Sequence, residues 1–425
     1  MNPRKVIFYV TIVSLGLAGQ SWGQEAKGQP LSLQDCLDLA LARNPLVLSS
    51  AERIRAAEAR VSQAKELPQP ALTVDDDLQP RLFDLGDSGE SYIGFSELVE
   101  FPGKRHLRGK IAGRELDELS SDFDLLKLDL SFQVKEAFSG LLLAQEKIKY
   151  AQQDLDLARD FLDKAESKYS SGEIAEVEVL RARVEAAKAA NAVRVAENDR
   201  RLAAAGLNFL LARRNYEPLE IRGQMKRAFT ALDLEDLERR ALASRPELRR
   251  IQSSIAKEGL KKTQGYLSYW PDFELGISRH RVAGTPKTWD LTLTVPIPLF
   301  FWQPKKGVIA EAEANRASLD REAVHLKNAI DLEVEEAYLN AIAASDQIKL
   351  FEGQVLGQAE EVYNAFLFKF QEGEIGGIEL IDARRSLNEA RRGYADALYN
   401  YRLTIATLEK AIGMPLEGDS HDANM

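Results

Sequence analysis

Glu379 and Asp382 stand three positions apart in a run of strong helix formers, so both carboxylates project from one helical face. Such a pair can sit on an ordinary solvated face, or it can concentrate negative potential where a helix lines a passage. No catalytic arrangement accompanies it. The chain carries no H-E-x-x-H, nucleophile elbow, Walker loop or dinucleotide fingerprint. Other carboxylate pairs fall on solvent-facing helical positions and imply no glycosidase-type pocket. His106, His280, His325 and His421 are scattered, as are the four methionines, so no metal site and no cofactor are expected. The only cysteine, Cys36, lies in the helical pattern Leu33, Cys36, Leu37, Ala40 and reads as a buried core thiol. An enzyme is not expected.

Two further motifs concern chain direction rather than chemistry. Tyr169-Ser170-Ser171-Gly172 and Phe370-Gln371-Glu372-Gly373 each end on a glycine, the residue a chain reversal with positive φ requires. They are related by a shift of 201 positions, and the same shift recurs along the chain. Leu31, Leu33, Asp35, Ala40, Leu41, Ala42 and Pro45 meet Leu232, Leu234, Asp236, Ala241, Leu242, Ala243 and Pro246. Gly172, Glu173, Ile174, Glu178, Ala182 and Arg183 meet Gly373, Glu374, Ile375, Glu379, Ala383 and Arg384. One register with compensating indels only in the strand region is expected, and with it two halves of the same local structure.

No proline occurs between Pro102 and Pro218, nor between Pro304 and Pro415, and both intervals are rich in strong helix formers. Ala137, Leu141, Ala144, Ile148, Ala151, Leu155, Ala158, Leu162, Ala165 and Tyr169 alternate steps of four and three, a heptad seam. A looser seam, Ile348, Phe351, Val355, Val362 and Phe366, is expected in the second half. Long coiled-coil helices follow in both halves.

Between the prolines the period changes to two. Trp289, Leu291, Leu293 and Val295 alternate with Asp290, Thr292 and Thr294, and Phe273, Leu275 and Ile277 with Glu274, Gly276 and Ser278. In the first half, Leu72 and Val74, then Ile93, Phe95 and Val99, form a weaker pair of strands, with Glu97 on the apolar parity. Taken alone, the alternation also suits a soluble β-domain. An apolar face toward lipid is the alternative, and four strands cannot enclose a membrane barrel, since closed ones have about eight or more. Three chains would supply twelve. Aromatic residues at strand ends, Tyr92, Phe101, Trp270, Trp289, Phe300, Phe301 and Trp302, suit an interfacial girdle.

The N-terminus places Arg4 and Lys5 before the apolar run Val6 to Ala18 and small residues at Ser21 and Gly23, a secretory signal peptide. That run is too short to span a bilayer as a helix, and none later replaces it. A formal net charge of -10 argues against a nucleic-acid partner. It suits cations if it lines a pore, and ordinary solubility if it does not.

Signal peptide, duplicated half, hairpin and very long helices together resemble the TolC-type outer-membrane efflux factors over essentially the whole mature chain. The Tyr-x-x-Gly turn, present at Tyr169 to Gly172 and as Phe370 to Gly373, is the local part of the resemblance. The resemblance implies a mainly α fold with a small β part: a trimeric α-helical barrel continued by a twelve-stranded transmembrane β-barrel, four strands per chain. It implies an adaptor-docking tip at Tyr169, Gly172, Phe370 and Gly373, residues that also simply make the turns. It implies a periplasmic aperture selecting cations at Glu379 and Asp382. Ile375 replaces the basic residue that some members use in a closing latch. The junctions Glu100 to Arg105, Pro296 to Phe300 and Lys305-Lys306-Gly307 look like those of the heavy-metal-exporting branch.

The expected organisation is a signal peptide at 1–23, a first repeat at 24–222 and a second at 223–415, with a tail at 416–425. Hairpins are expected at about 70–101 and 271–300, and long helices at about 103–212 and 305–413. The expected role is the passive exit duct of a tripartite efflux pump in the outer membrane of a Gram-negative bacterium. Its cargo would be metal cations or small molecules, and its partners a periplasmic adaptor, an inner-membrane proton-driven transporter and outer-membrane lipid. The rival readings are a periplasmic coiled-coil adaptor or scaffold, and the duct of a protein secretion system.

Overall fold

The computed structural model describes residues 30–77, 89–225, 232–282, 284–297 and 305–416. The signal peptide, Phe300, Phe301, Trp302 and most of the expected tail lie outside the described residues.

Each half starts with a pair of short helices, α1 (Leu33–Arg43) and α2 (Pro45–Gln63), then α5 (Leu234–Ser244) and α6 (Pro246–Leu267). Ser32 and Asp35 close a capping box on α1, and Pro45 and Pro246 open α2 and α6, where the missing N–H costs nothing. A two-stranded hairpin follows in each half, β1 (Ala71–Asp77) with β2 (Glu90–Val99), and β3 (Phe273–Val282) with β4 (Thr288–Thr294). Next come the long helices. In the first half these are α3 (Lys104–Ser170), whose 67 residues extend about 100 Å, and α4 (Glu176–Leu210). In the second they are α7 (Lys305–Leu350), a π-turn at Phe351–Val355, α8 (Leu356–Glu372) and α9 (Gly377–Ile412). None of the described helices is long and apolar enough to cross a membrane.

The same capping device recurs in both halves with different chemistry. Asn44, between α1 and α2, donates its amide to the carbonyl of Leu210 at the end of α4. At the matching place Arg245, between α5 and α6, donates to the carbonyls of Lys410 and Ala411 at the end of α9. Both residues are buried, and both satisfy carbonyls that a helix end leaves without partners.

The duplication holds, but its register is not constant. Cys36, Ala40, Val47, Leu207 and Leu211 in one core correspond at a shift of 201 to Leu237, Ala241, Leu248, Leu408 and Ile412 in the other. Leu130 and Val134 of α3 instead correspond to Ile330 and Val334 of α7, a shift of 200. The compensating residue is therefore not confined to the strand region; the π-turn absorbs it, because an i→i+5 turn takes up one extra residue. Phe351, at its start, lays its ring against Gly393 of α9. Downstream the inward face turns, though Phe366 of the expected seam still packs partly buried on the core. Val362, expected on the seam, is exposed, and Tyr363 is buried in its place.

The long helices form one layer in the order α4, α3, α9, then α7 with α8. α6 packs on both α3 and α7, and α2 packs on α3. The two hairpins join through β2 and β3 into a single antiparallel sheet of order β1-β2-β3-β4, leaving β1 and β4 as edges.

Candidate functional site

Three places concentrate functional chemistry. The first is the sheet, whose register sorts the faces. Leu72, Phe95, Ile277 and Leu291 lie in one cross-strand row, and Val74, Ile93, Arg279 and Trp289 in another. Ser91, Glu97, Arg279 and Arg281 interrupt this face, which is otherwise largely apolar, and it is open: Leu291 is 82% exposed. The Arg279 guanidinium lies 5.7 Å from the Trp289 ring centre, a placement that lowers the cost of its charge there. The opposite face carries Thr73, Asp75, Ser278, His280, Asp290 and Thr292. On it His280 Nε2 lies 2.6 Å from Glu90 Oε1 and its Nδ1 3.6 Å from Asp290 Oδ2. Tyr92, expected in the aromatic girdle, meets His280 edge-on on this polar face, because its position in β2 has the polar parity. Phe101 and Trp270 stack at 5.2 Å where strands pass into helices, beside Lys104 and Asp272, paired at 2.8 Å.

The second place is the far end of the helical layer. Gly172 and Gly373 have φ of +80° and +79°, the left-handed conformation that only glycine takes without strain. The same two bonds close both turns: Gly172 and Glu173 donate to Tyr169 and Lys168, Gly373 and Glu374 to Phe370 and Lys369. Tyr169 faces outward. Phe370 is only 3% exposed and packs on Phe161 at 5.3 Å, so it shapes the tip from inside and offers no face of its own.

The third is the first turns of α9. Glu379 and Asp382 are both exposed, on the side opposite buried Leu380, Ile381, Ala383 and Arg384. In the first half their counterparts, Glu178 and Arg181, neutralise each other at 2.8 Å. Asp382 stands where that arginine was, so the second half presents acid where the first presents an ion pair. Its nearest cation is Arg385, at 3.8 Å.

Beneath this face lies a buried ionic cluster that sequence patterns do not reveal. Arg384 of α9 donates to Asp154 of α3 at 2.6 Å and to Glu185 of α4 at 2.9 Å, and Arg385 donates to Glu185 at 2.7 Å. Burial pushes the Asp154 carboxyl above the usual range and outweighs the attraction of Arg384. Burial also pushes at Glu185, but hydrogen bonds from Lys188 and Arg385 hold its carboxyl below that range. Asp154 and Glu185 sit in charge-rich helices where solvated acids are the default. The only hint was Arg183 and Arg384 recurring at the repeat shift, and that does not say which arginine is buried.

A sequence profile of the outer membrane efflux protein family matches residues 36–213 and again 237–414, two copies offset by the same 201 positions. The chain belongs to the outer membrane efflux protein family. Its members are non-enzymatic channels of the Gram-negative outer membrane with a large periplasmic portion, and this chain is one of them. The cobalt-zinc-cadmium resistance protein CzcC of Cupriavidus metallidurans is 26% identical over 405 residues, covering 92% of this chain and 91% of CzcC. The protein CyaE of Bordetella pertussis is 24% identical over 418 residues, covering 92% of this chain and 86% of CyaE. Among solved structures, the outer membrane protein VceC of Vibrio cholerae superposes with a TM-score of 0.74 at 16% identity, over 91% of this chain and 97% of VceC. The open MtrE channel of Neisseria gonorrhoeae gives 0.73 at 17%, over 90% and 89%. These two likenesses are ones of fold.

Proposed function

We propose that three copies of this chain close into one tunnel, the exit duct of a tripartite efflux pump. The observation that carries this reading is the sheet, with an apolar face open to its surroundings and edges β1 and β4 unpaired among the described residues. An open edge in hydrocarbon leaves backbone groups without partners, so β4 of each copy pairs with β1 of the next. Two copies would give eight strands, a barrel whose interior side chains fill. Three give twelve, the smallest closure that leaves a lumen, and the polar face carrying Asp75, Glu90, His280 and Asp290 lines it. The strands of ten residues in β2 and β3 match the length a tilted strand needs to cross a bilayer.

The helical layer closes in parallel, α4 of one copy beside α7 and α8 of the next, into a periplasmic conduit ending at the two glycine turns. Tyr169, with the backbone around Gly172 and Gly373, forms the surface that meets a periplasmic adaptor, and Phe370 supports it from below. Through that adaptor the duct receives cargo from a proton-driven inner-membrane transporter. Glu379 and Asp382, repeated three times, ring the periplasmic aperture and favour cations. The similarity to a cobalt-zinc-cadmium resistance protein supports metal cations as cargo. In this reading the cation is conducted and not stored.

Membrane fractionation followed by mass measurement of the detergent-extracted particle tests this reading. A three-chain particle from the outer membrane that conducts in planar bilayers is expected; a single-chain particle in the soluble periplasm overturns it.

A further inference from the structure

The duplication says what a subunit joint in this protein must look like, because each contact between the halves of one chain has a counterpart that one chain cannot make. α6 packs on α7 of its own half and on α3 of the other half, whereas its repeat mate α2, among the long helices, packs comparably only on α3. Likewise α9 packs on α7 and on α3, whereas α4 packs on α3 and has no comparable contact with α7. In each case the missing neighbour is an α7 on the open side of the layer, and only another copy supplies one.

The residues at the two kinds of joint differ in chemistry. Within the chain, α6 meets α3 through Arg249 with Asp124 at 3.0 Å, Arg250 with Asp122 at 3.0 Å and Lys257 with Glu118 at 2.6 Å. α9 meets α3 through Lys410 with Asp129 at 2.8 Å and Lys147 with Asp396 at 2.8 Å, with the Lys410 ammonium 5.2 Å from the Phe132 ring centre. The register is 201 for the other helices and 200 for α3 onto α7. It puts Leu48 in the place of Arg249 and Val324 in that of Asp124. It puts Phe209 in the place of Lys410, Leu332 in that of Phe132, and Val195 in that of Asp396. These five are large apolar side chains, and all are exposed: Leu48 52%, Val324 60%, Phe209 68%, Leu332 56% and Val195 52%. The remaining positions hold Ser49, Ala56, Ser318, Glu322, Ala329 and Gln347, so none of the five ion pairs recurs.

We propose that α2 and the C-terminal half of α4 dock on α7 of a second copy, with Leu48 against Val324 and Phe209 against Leu332 of the partner subunit. The proposal rests on the ring closure above and adds its residue pairs and chemistry: an ionic joint inside each chain alternates with an apolar joint between chains. Four exposed apolar side chains on ion-pair positions of the repeat, with a fifth on that of Phe132, are what a covered surface requires, since burying unpaired charge is costly and burying apolar area is favourable. The intact particle should therefore keep its mass in molar salt, which screens ion pairs and strengthens apolar contact.

The test uses full-length protein in a Cys36→Ala background and a short thiol-to-thiol cross-linker. Leu48→Cys with Val324→Cys should give two-chain and three-chain bands on denaturing gels. Arg249→Cys with Asp124→Cys, the ionic counterpart, should link only within one chain. A second arm needs no cysteine: Leu48→Arg alone should lose the three-chain particle, and adding Val324→Asp should recover it. A three-chain particle that gives no between-chain band from Leu48→Cys with Val324→Cys overturns the pairing and leaves the ring standing. A single-chain particle overturns both.

Discussion

Replacing Arg384 with methionine removes the cation that holds α9 to α3 and α4, and the structure sets the size of the effect. The Arg384 side chain is 6% exposed, and its partners Asp154 and Glu185 are 11% and 9% exposed. Breaking such a buried pair costs about 3–5 kcal/mol, because the surviving charge stays out of water without compensation. The lower end applies here. Asp154 already carries a raised pKa and escapes by taking a proton, while Glu185 keeps Arg385 and Lys188. About 3 kcal/mol of local opening is roughly a hundredfold in the amide hydrogen-exchange rate of the α9 segment 377–390, read by mass spectrometry on the intact particle. Arg384→Met with Asp154→Leu and Glu185→Leu should return exchange to near the parent rate, since an apolar replacement of a whole buried ionic cluster is close to neutral. Arg385 and Lys188 then lose a partner, but at 50% and 62% exposure they lose little. Unchanged exchange in the single variant, or a triple variant as labile as the single, would refute the reasoning.

Glu379→Ala with Asp382→Ala should raise single-channel conductance and weaken cation preference in planar bilayers; unchanged currents and selectivity would remove the aperture assignment. Gly373→Ala should destabilise the second tip by about 1–2 kcal/mol, because φ of +79° crowds a Cβ, and added protease cleavage at the tip would show it. Leu291→Lys puts a charge on the apolar face of the sheet, costing about 2–4 kcal/mol near a bilayer midplane, and should cut recovery of assembled protein from membranes. Acid should loosen the Glu185 tie. Its folded pKa lies below the ordinary 4.5, so its contribution is present above that value and lost as pH falls through the folded one; Asp154, shifted upward, acts in the opposite sense. Acid-promoted exchange in α4 that Glu185→Gln abolishes would bear this out. Cys36, its thiol pushed up to about 12 by burial, should resist alkylation in the folded protein at neutral pH.

Much of this protein was legible in its residues, because much of its structure is local and repeated. Heptad spacing from Ala137 to Tyr169 specifies a long helix wherever it lies, alternation from Trp289 to Val295 specifies a strand with one apolar face, and a glycine after Tyr169 or Phe370 specifies a reversal. Each signal spans a few residues and needs no partner to be read. The repeat then did what no single motif could, by requiring the same answer twice.

Only the tertiary structure decided the rest. The one-residue difference between α3 and α7 leaves no local mark, since a π-turn and a regular turn use the same residue types; packing shows it, as the inward position moves from Val362 to Tyr363. The joining of two hairpins into one sheet through β2 and β3 depends on chain segments far apart in sequence, and so does the sorting of Tyr92 to the polar face. Arg384, Asp154 and Glu185 are ordinary helix-surface residues in the sequence. They become a buried cluster because three long helices converge there, and burial, unlike periodicity, belongs to no segment alone.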